Sequence, residues 1–419
     1  MKIVIVTAGS RGDTAPFVGL GVRLREAGHE VSLATQQLFE PMVREAGLGF
    51  REMPGDIRAD FASKAGQDFQ HHGIGLRGLP AQLRFASKMI SDLGRGAQRA
   101  VEGADLVLTH RAAFGFVYWI ARNAGIPSMG LELFPSGVIP SGELPPISLA
   151  TRSLGRTGNL AAHAMMRGFA QLGGGFLPGY KEFLREQGVR SAGALYREIR
   201  QTRWPVLHGW SPQVLPRPSD WPAQAEVVGY WWPWQSPDYQ PPAELTEFLA
   251  AGEPPVFLSF GSMAPGRARE LSEIAVEAMT LAKVRGVVQA GWNELAATGE
   301  HVLSIGEVPH GWLFPRMAAV VHHGGAGTTG AGVRAGVPSV IVPVLGDQPL
   351  WADRLAELGV SPGSVPMKKI TAPRLAALIR DAVTGPGYRR RAAALAERVA
   401  QEDGAGRVIE AVARLGARA

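Results

Sequence analysis

Three observations predict an α/β protein of two Rossmann-like domains facing a cleft. At 419 residues the chain is long for a single hydrophobic core. Short β-branched runs alternate with helix-like runs in two separate series, the rhythm of parallel sheets covered on both faces. Between the series, near 204–242, the composition turns to Pro and Trp ("WPVLHGWSPQVLPRPSDWPAQAEVVGYWWPWQSPDYQPP"), as in a structured connector.

The first series opens with "KIVIVTA" (2–8), a strand, and "APFVGLGVRLREAG" (15–28), which has helical spacing and ends in Gly. "HEVSLAT" (29–35), "LFEPMVREAG" (38–47) and "LGFREMP" (48–54) repeat the rhythm. "ADLVLTH" (104–110), "AFGFVYWIARNAG" (113–125) and "IPSMGLEL" (126–133) resume it. Residues 55–103 and 135–200 break the pattern, with helical spacing again over 81–101. Insertions of this length build binding walls or lids, or simply add packing helices.

The second series starts with "PAELTEFLAAG" (242–252) and "PPVFLSFGS" (254–262). It continues through "VRGVVQAGW" (284–292), "HVLSIGEV" (301–308), "AAVVHHG" (318–324) and "PSVIVPV" (338–344). The C-terminus, 388–416, reads as amphipathic helix. The resulting division is a first domain over 1–215, a connector over 216–241 and a second domain over 242–400. A C-terminal helix over 401–419 is placed to pack back on the first domain.

Composition excludes several classes of function. Hydrophobic residues make up 46% and charged residues 19%, ordinary values for a globular protein. The net charge is +6, and the basic residues are nearly all Arg, since only Lys2, Lys64, Lys88, Lys181, Lys283, Lys368 and Lys369 are lysines. No basic block is interleaved with aromatics, so nucleic acid is not an expected partner, whereas anionic small molecules suit the mild positive charge. The absence of cysteine excludes disulfides, thiolate metal sites and a Cys nucleophile. The apolar run in "MKIVIVTAGSRGD" is too short for a signal peptide, and no window of eighteen apolar residues suggests a membrane span. The expected location is cytoplasmic.

"VHHGGAGTTGAG" (321–332) contains G-x-G-x-x-G as Gly325, Gly327 and Gly330, between a strand-like and a helix-like run. Glycines there let backbone N–H groups approach a phosphate at the positive end of a helix, or merely allow a tight turn. Thr328 and Thr329 are candidates to cap the helix and offer hydroxyls. The motif by itself suggests NAD, but three details argue otherwise. The dinucleotide fingerprint sits on the first strand of its domain, and here several strands precede it. His322 and His323 come immediately before the glycines, and strand alternation turns only one of them toward a ligand. Then "LGDQPLWADR" sets Asp347 beside Gln348, an acceptor and donor pair suited to a polyhydroxylated ring, although Asp347 also reads as a helix N-cap.

The stretch "EVPHGWLFPRMAAVVHHGGAGTTGAGVRAGVPSVIVPVLGDQPLWADRLAELGV" (307–360) resembles the donor-binding signature of the UDP-glycosyltransferase superfamily. The bacterial antibiotic and sterol-type branch is the most similar, and "VVGYWWPW…PPAELTEFLAAGEPPVFLSFGSM" and "TAGSRGDTAPFVGLGVRL" resemble it too. The likeness covers the second domain and both ends of the chain, and is weakest over 55–103 and 135–200, where members differ by acceptor. It implies the GT-B fold, with the acceptor on the N-terminal domain and a UDP- or TDP-sugar on the C-terminal one. His323 would then meet the pyrophosphate, with Gly325, Gly327 and Thr328 as loop donors. Asp347 and Gln348 would hold sugar hydroxyls, and Ser262 would reach a phosphate. Trp292 would lie near the nucleobase, or is rim packing. Val308 would meet the base edge through its main chain, or merely ends a strand.

Most of the superfamily carries G-H-x-x-P after its first strand, the His acting as base. Here "GDTAP" puts Asp13 in that place, a departure shared with the antibiotic and sterol-type branch. Asp13 would sit at the carboxyl edge of the first sheet, where ligands of open α/β folds bind, or would cap the helix that follows. A carboxylate is a weak base toward an alcohol, and serves if proton transfer is late or burial raises its pKa. Gly12 and Arg11 adjoin it; Arg11 adds positive charge or is an exposed loop residue. His110, ending "DLVLTH", touches the acceptor, assists the base, or is structural. There is no D-x-D motif, and His71–His72 lack partner ligands, so no metal and no cofactor beyond the nucleotide-sugar co-substrate is expected.

The expected activity is therefore inverting, metal-independent sugar transfer to a lipophilic natural product such as a polyketide or macrolide, with sterol or lipid glucosylation as the alternative. An NAD-dependent oxidoreductase and a non-catalytic glycosyltransferase-like partner are the rivals from other classes. Intact Asp13, His323 and Gln348 argue against the second. The sugar, the choice of UDP or TDP, O- or C-transfer, and monomer or homodimer are all undecided by the sequence.

Overall fold

A computed structural model describes residues 1–64, 66–68, 93–147, 149–150, 152–176, 178–191, 193–261, 267–291, 295 and 299–417. The chain divides into two compact units. One comprises Met1–Pro212, Pro216–Ser236 and Asp403–Ala419; the other comprises Gln213–Leu215 and Pro237–Glu402.

The first unit is built on β1 (Lys2–Val6), β2 (Glu30–Gln36), β3 (Gly49–Met53), β4 (Leu106–His110), β5 (Ser128–Glu132), β6 (Val206–His208) and β7 (Ala225–Val227). They form one sheet in the order β3-β2-β1-β4-β5-β6-β7, every pair parallel. A parallel sheet is covered on both faces, so its central strand β1 carries a run of buried apolar residues. In β1, Ile3 and Ile5 join one core cluster while Val4 and Val6 point the other way, and none is more than 1% exposed. Helix α1 (Arg11–Glu26) places Phe17, Leu20 and Leu24 on that core at helical spacing. Gly19 lies where the chain after β7 crosses α1, and a Cβ there would come within 1.8 Å of the Trp232 carbonyl oxygen. Helix α2 (Phe114–Asn123) follows β4 and buries Phe114, Val117, Trp119 and Ile120.

The second unit contains β8 (Val256–Ser259), β9 (Gly286–Gln289), β10 (Val302–Ile305), β11 (Ala319–His322) and β12 (Ser339–Ile341), all parallel, in the order β10-β9-β8-β11-β12. Its helices include α3 (Ala268–Ala282), α4 (Ala326–Ala335), α5 (Gln348–Glu357), α6 (Ala372–Thr384) and α7 (Tyr388–Val399). Alternation again sorts the faces. Val256 and Leu258 pack with Leu271 and Ala275 of α3 and with Leu375 and Ile379 of α6. Phe257, between them in β8, faces Leu313 and Phe314 on the opposite side.

The segment 388–416 is two helices rather than one. The break falls at Gln401–Asp403, where the Asp403 carboxylate accepts the Gly406 N–H (2.9 Å) and caps α8 (Gly404–Gly416). α7 stays with the second unit, while Val408 and Val412 of α8 enter the core of the first, beside Leu20 and Leu24. Trp231 Nε1 donates to the Gly404 carbonyl (3.2 Å), and Arg23 pairs with Asp403 (3.0 Å).

Each sheet reverses its strand order once, between β1 and β4 and between β8 and β11. The crevice beyond the carboxyl ends of strands at such a switch point is where open α/β sheets bind ligands. Much of the helix read over 81–101, and the His71–His72 pair, lie outside the described residues. Among the described residues no helix is long and apolar enough to cross a membrane.

Candidate functional site

At the first switch point, β1 runs into a tight turn, Thr7 to Ser10, and then α1. Asp13 belongs to the first turn of α1, not to its N-cap, because the helix starts at Arg11 and Ser10 occupies the capping position. Its carboxylate turns back on the cap: Oδ2 accepts the Ser10 N–H (2.8 Å) and the Ser10 hydroxyl (2.9 Å). Thr7 Oγ1 donates to the Asp13 carbonyl (2.6 Å). Gly9 has φ +137°, and a Cβ there would lie 2.5 Å from Asp13 Oδ2, so this turn requires glycine twice over. Asp13 is half-buried, with Arg11 and Gly12 exposed beside it. Gly12 has open space at its Cβ position, the nearest atom being Ser10 Oγ at 3.6 Å.

His110 ends β4, the neighbour of β1, and is 4% exposed. Its ring centroid lies 5.4 Å from that of Phe17. Burial holds its pKa below the usual imidazole value, against the pull of the Asp13 carboxylate. One strand further, Glu132 ends β5 and is fully buried, its Oε1 accepting from Ser136 Oγ (2.6 Å). Burial pushes the Glu132 carboxyl up to about 8, with the Arg111 guanidinium and the Ser136 hydroxyl opposing the shift. An acid and an imidazole at these strand ends were legible only as the last letters of "DLVLTH" and "MGLE"; nothing in the spacing marks Glu132.

At the second switch point, β11 ends in His322 and the chain enters "HGGAGTTG". The two histidines differ in environment, with their rings 6.5 Å apart and at 88° to each other. His322 is fully buried, and its Nδ1 accepts the Gly324 N–H (3.1 Å), which fixes the Nε2–H tautomer. His323 is half-exposed. Its ring sits between two glycines: a Cβ on Gly261 would lie 3.0 Å from Cε1, and one on Gly325 would lie 2.5 Å from Nε2. Burial lowers the His323 pKa to about 4, so at neutral pH the ring offers an N–H hydrogen bond rather than a positive charge.

The N-cap of α4 is Gly325 itself, not a threonine. The Thr329 N–H is already bonded to the Gly325 carbonyl (2.9 Å) and its side chain is fully buried. Thr328 is half-buried, and Gly327 is exposed in the first turn. The amides of Ala326, Gly327 and Thr328 have no partner within the helix and face outward at its positive end. Helix N-termini with free amides are able to receive anions.

Asp347 is the N-cap of α5, but its side chain makes no capping bond. Gln348 is 5% exposed and lies against the glycine loop: a Cβ on Gly324 would be 3.2 Å from Gln348 Cβ. Val308 is 5% exposed and packs with Phe257 and Phe314. Ser262 and Trp292 lie outside the described residues. The structure thus gathers His323, Gly325, Gly327, Thr328 and Gln348 around one helix start. Gly9, Ser10, Gly261 and Trp351 escaped the sequence reading, since each acts on a neighbour and not through a motif.

Residues 3–108 match the Glycosyltransferase family 28 N-terminal domain, and residues 286–415 match the C-terminal domain of Erythromycin biosynthesis protein CIII-like proteins. The O-mycaminosyltylonolide 6-deoxyallosyltransferase of Streptomyces fradiae is 38% identical over 421 residues, which is 96% of this chain and 95% of that one. A sterol 3-beta-glucosyltransferase of Arabidopsis thaliana (UGT80A2) is 32% identical, over 98% of this chain and 65% of that longer one. Among solved structures, the glycotransferase of kitacinnamycin superposes with a TM-score of 0.73 at 20% identity, covering 99% of this chain and 98% of that one. SsfS6 of Streptomyces sp. SF2575, complexed with thymidine diphosphate, has a TM-score of 0.64 at 22% identity, covering 99% of each chain.

Proposed function

This chain belongs to the UDP-glycosyltransferase superfamily, in the branch of GT-B glycosyltransferases that serve bacterial natural products and sterols, and on that premise we propose its reaction. It moves a sugar from a UDP- or TDP-sugar to a hydroxyl of a lipophilic natural product, with inversion, without a metal, and with Asp13 as the base. The relative that is 38% identical along nearly its whole length names an acceptor of the macrolide kind, and a macrolide-like alcohol is the acceptor proposed here. The sterol glucosyltransferase at 32% identity makes a sterol the second candidate.

The observation that carries the reading is the start of α4. A neutral His323 N–H and unpaired helix amides form an oxyanion-type cradle for a diphosphate. In the proposed reaction the acceptor oxygen attacks the anomeric carbon on the face opposite the nucleotide. Its proton passes to the Asp13 carboxylate as the new bond forms, so that no free alkoxide is generated. The carbon–oxygen bond to the nucleoside diphosphate breaks, and the developing negative charge is met by the helix terminus and His323. His110 ends the strand next to β1, and its ring feels the Asp13 carboxylate electrostatically.

The test is a panel of UDP- and TDP-sugars against macrolactone and sterol acceptors. Products are read by mass spectrometry and the anomeric configuration by NMR, with and without EDTA. Transfer with inverted configuration that survives the chelator is the expected result. No transfer and no hydrolysis of any donor would refute the activity. A retained anomer would refute the mechanism, and loss of turnover in EDTA would refute metal independence.

A further inference from the structure

The Asp347 carboxylate is not an isolated group. Trp351, one helical turn on in α5, donates its indole N–H to Asp347 Oδ2 at 2.6 Å. Such a short N–H to carboxylate contact is a charge-assisted bond, stronger than a neutral one. Trp351 is 0% exposed, so its ring cannot swing away without opening a hole in a close-packed core. Gln348 is held just as firmly: its Oε1 accepts the main-chain N–H of Val344 (2.7 Å) and of Leu345 (3.1 Å). With that oxygen engaged, Gln348 has its Nε2 donor to present, while the ionised Asp347 can only accept. Side by side they complement two neighbouring hydroxyls, one donating and the other accepting.

We propose that Trp351 is a positioning residue for sugar recognition. Its indole N–H holds the Asp347 carboxylate in the orientation that reads one hydroxyl of the transferred sugar, while Gln348 donates to the adjacent one. This inference rests on the proposed role of Asp347 and Gln348 toward the donor sugar. A tryptophan that served packing alone would use Asp347 merely to satisfy its own buried N–H, and sugar recognition would not depend on it.

The test uses the full chain and compares donor KM with the Kd of the nucleoside diphosphate, which lacks the sugar. Trp351→Phe keeps most of the apolar bulk and loses the N–H. Its donor KM rises roughly tenfold, the effect of one hydrogen bond to a charged group, while diphosphate affinity stays within about twofold. Replacing Trp351 with the isosteric benzothienylalanine exchanges only N–H for sulfur and gives the same result, even if the Phe variant folds poorly. If both leave donor KM unchanged while Asp347→Ala raises it, the role of Trp351 falls and the sugar site stands. If Asp347→Ala itself leaves donor KM unchanged, the sugar site and this inference fall together. An equal loss of diphosphate affinity in the Trp351 variants means a collapsed loop and overturns the inference as well.

Discussion

Replacing Asp13 with Asn separates its proposed chemical role from its structural one. In the folded chain Asp13 Oδ2 accepts two bonds from Ser10, at 2.8 and 2.9 Å, and thereby completes the first turn of α1. An Asn carbonyl oxygen can accept the same two bonds, so the turn is retained. Alanine cannot, and loss of a helix cap costs about 0.5–2 kcal/mol. At roughly 2–4 °C of Tm per kcal/mol for a unit of this size, Asp13→Ala melts a few degrees lower while Asp13→Asn melts close to the parent. Catalysis responds differently. An amide has no basicity toward an alcohol, and removing a general base costs about 10²–10⁴-fold in rate. That corresponds to roughly 3–5 kcal/mol of lost transition-state stabilisation. The assay is kcat at saturating donor and acceptor, alongside thermal unfolding. Both variants are expected to lose kcat by the same large factor although only one loses stability. An Asn variant within about threefold of the parent kcat would refute Asp13 as the base, since no protein amide substitutes for it.

Three other outcomes follow from the same geometry. Glu132 has a folded pKa near 8 against an ordinary 4.5, so its contribution to stability is complete below pH 4.5 and is lost as the pH rises through 8. Denaturant unfolding of the first unit should therefore show Glu132→Gln gaining on the parent across that window, and equal pH slopes would contradict a buried neutral acid. His323, held near 4 by burial, gains an anionic neighbour when a diphosphate binds, and its pKa moves up. Calorimetry in buffers of different ionisation enthalpy at pH 5–6 should then register proton uptake beyond that of His323→Gln. Gly325→Ala puts a Cβ 2.5 Å from His323 Nε2 and should weaken diphosphate binding about tenfold, whereas Gly12→Ala, which meets open space, should leave it unchanged.

Much of the fold was legible because parallel sheets write themselves plainly. The central strands, such as "KIVIV" and "AVVH", are short apolar runs of the kind a doubly covered sheet requires. The glycine loop was legible for a similar reason, since this strand-to-helix turn leaves little room for side chains, a Cβ on Gly325 coming within 2.5 Å of His323 Nε2. Helix boundaries were harder. Asp13 reads as the cap of "TAPFVGLG", yet the helix begins two residues before it, because the glycine-rich turn lets Ser10 cap instead. The pair Thr328–Thr329 likewise reads as capping residues, and the cap is Gly325. Residues 388–416 read as amphipathic helix with a last helix set apart from 401, and the break is placed by the Asp403 carboxylate, which caps α8.

What the sequence by itself determined is a pattern: a two-series α/β chain with a carboxylate after its first strand and a glycine-rich strand-to-helix loop late in its second series. Those features are local, and local backbone preference and apolar periodicity are written in consecutive residues. Tertiary structure alone decided which groups would stand together. It set His323 between Gly261 and Gly325, more than sixty positions apart in one direction and two in the other. It buried Glu132 until its acid became neutral, and turned Trp351 onto Asp347. Burial and hydrogen-bond partners depend on what packs around a residue, and that neighbourhood exists only once distant strands have come together.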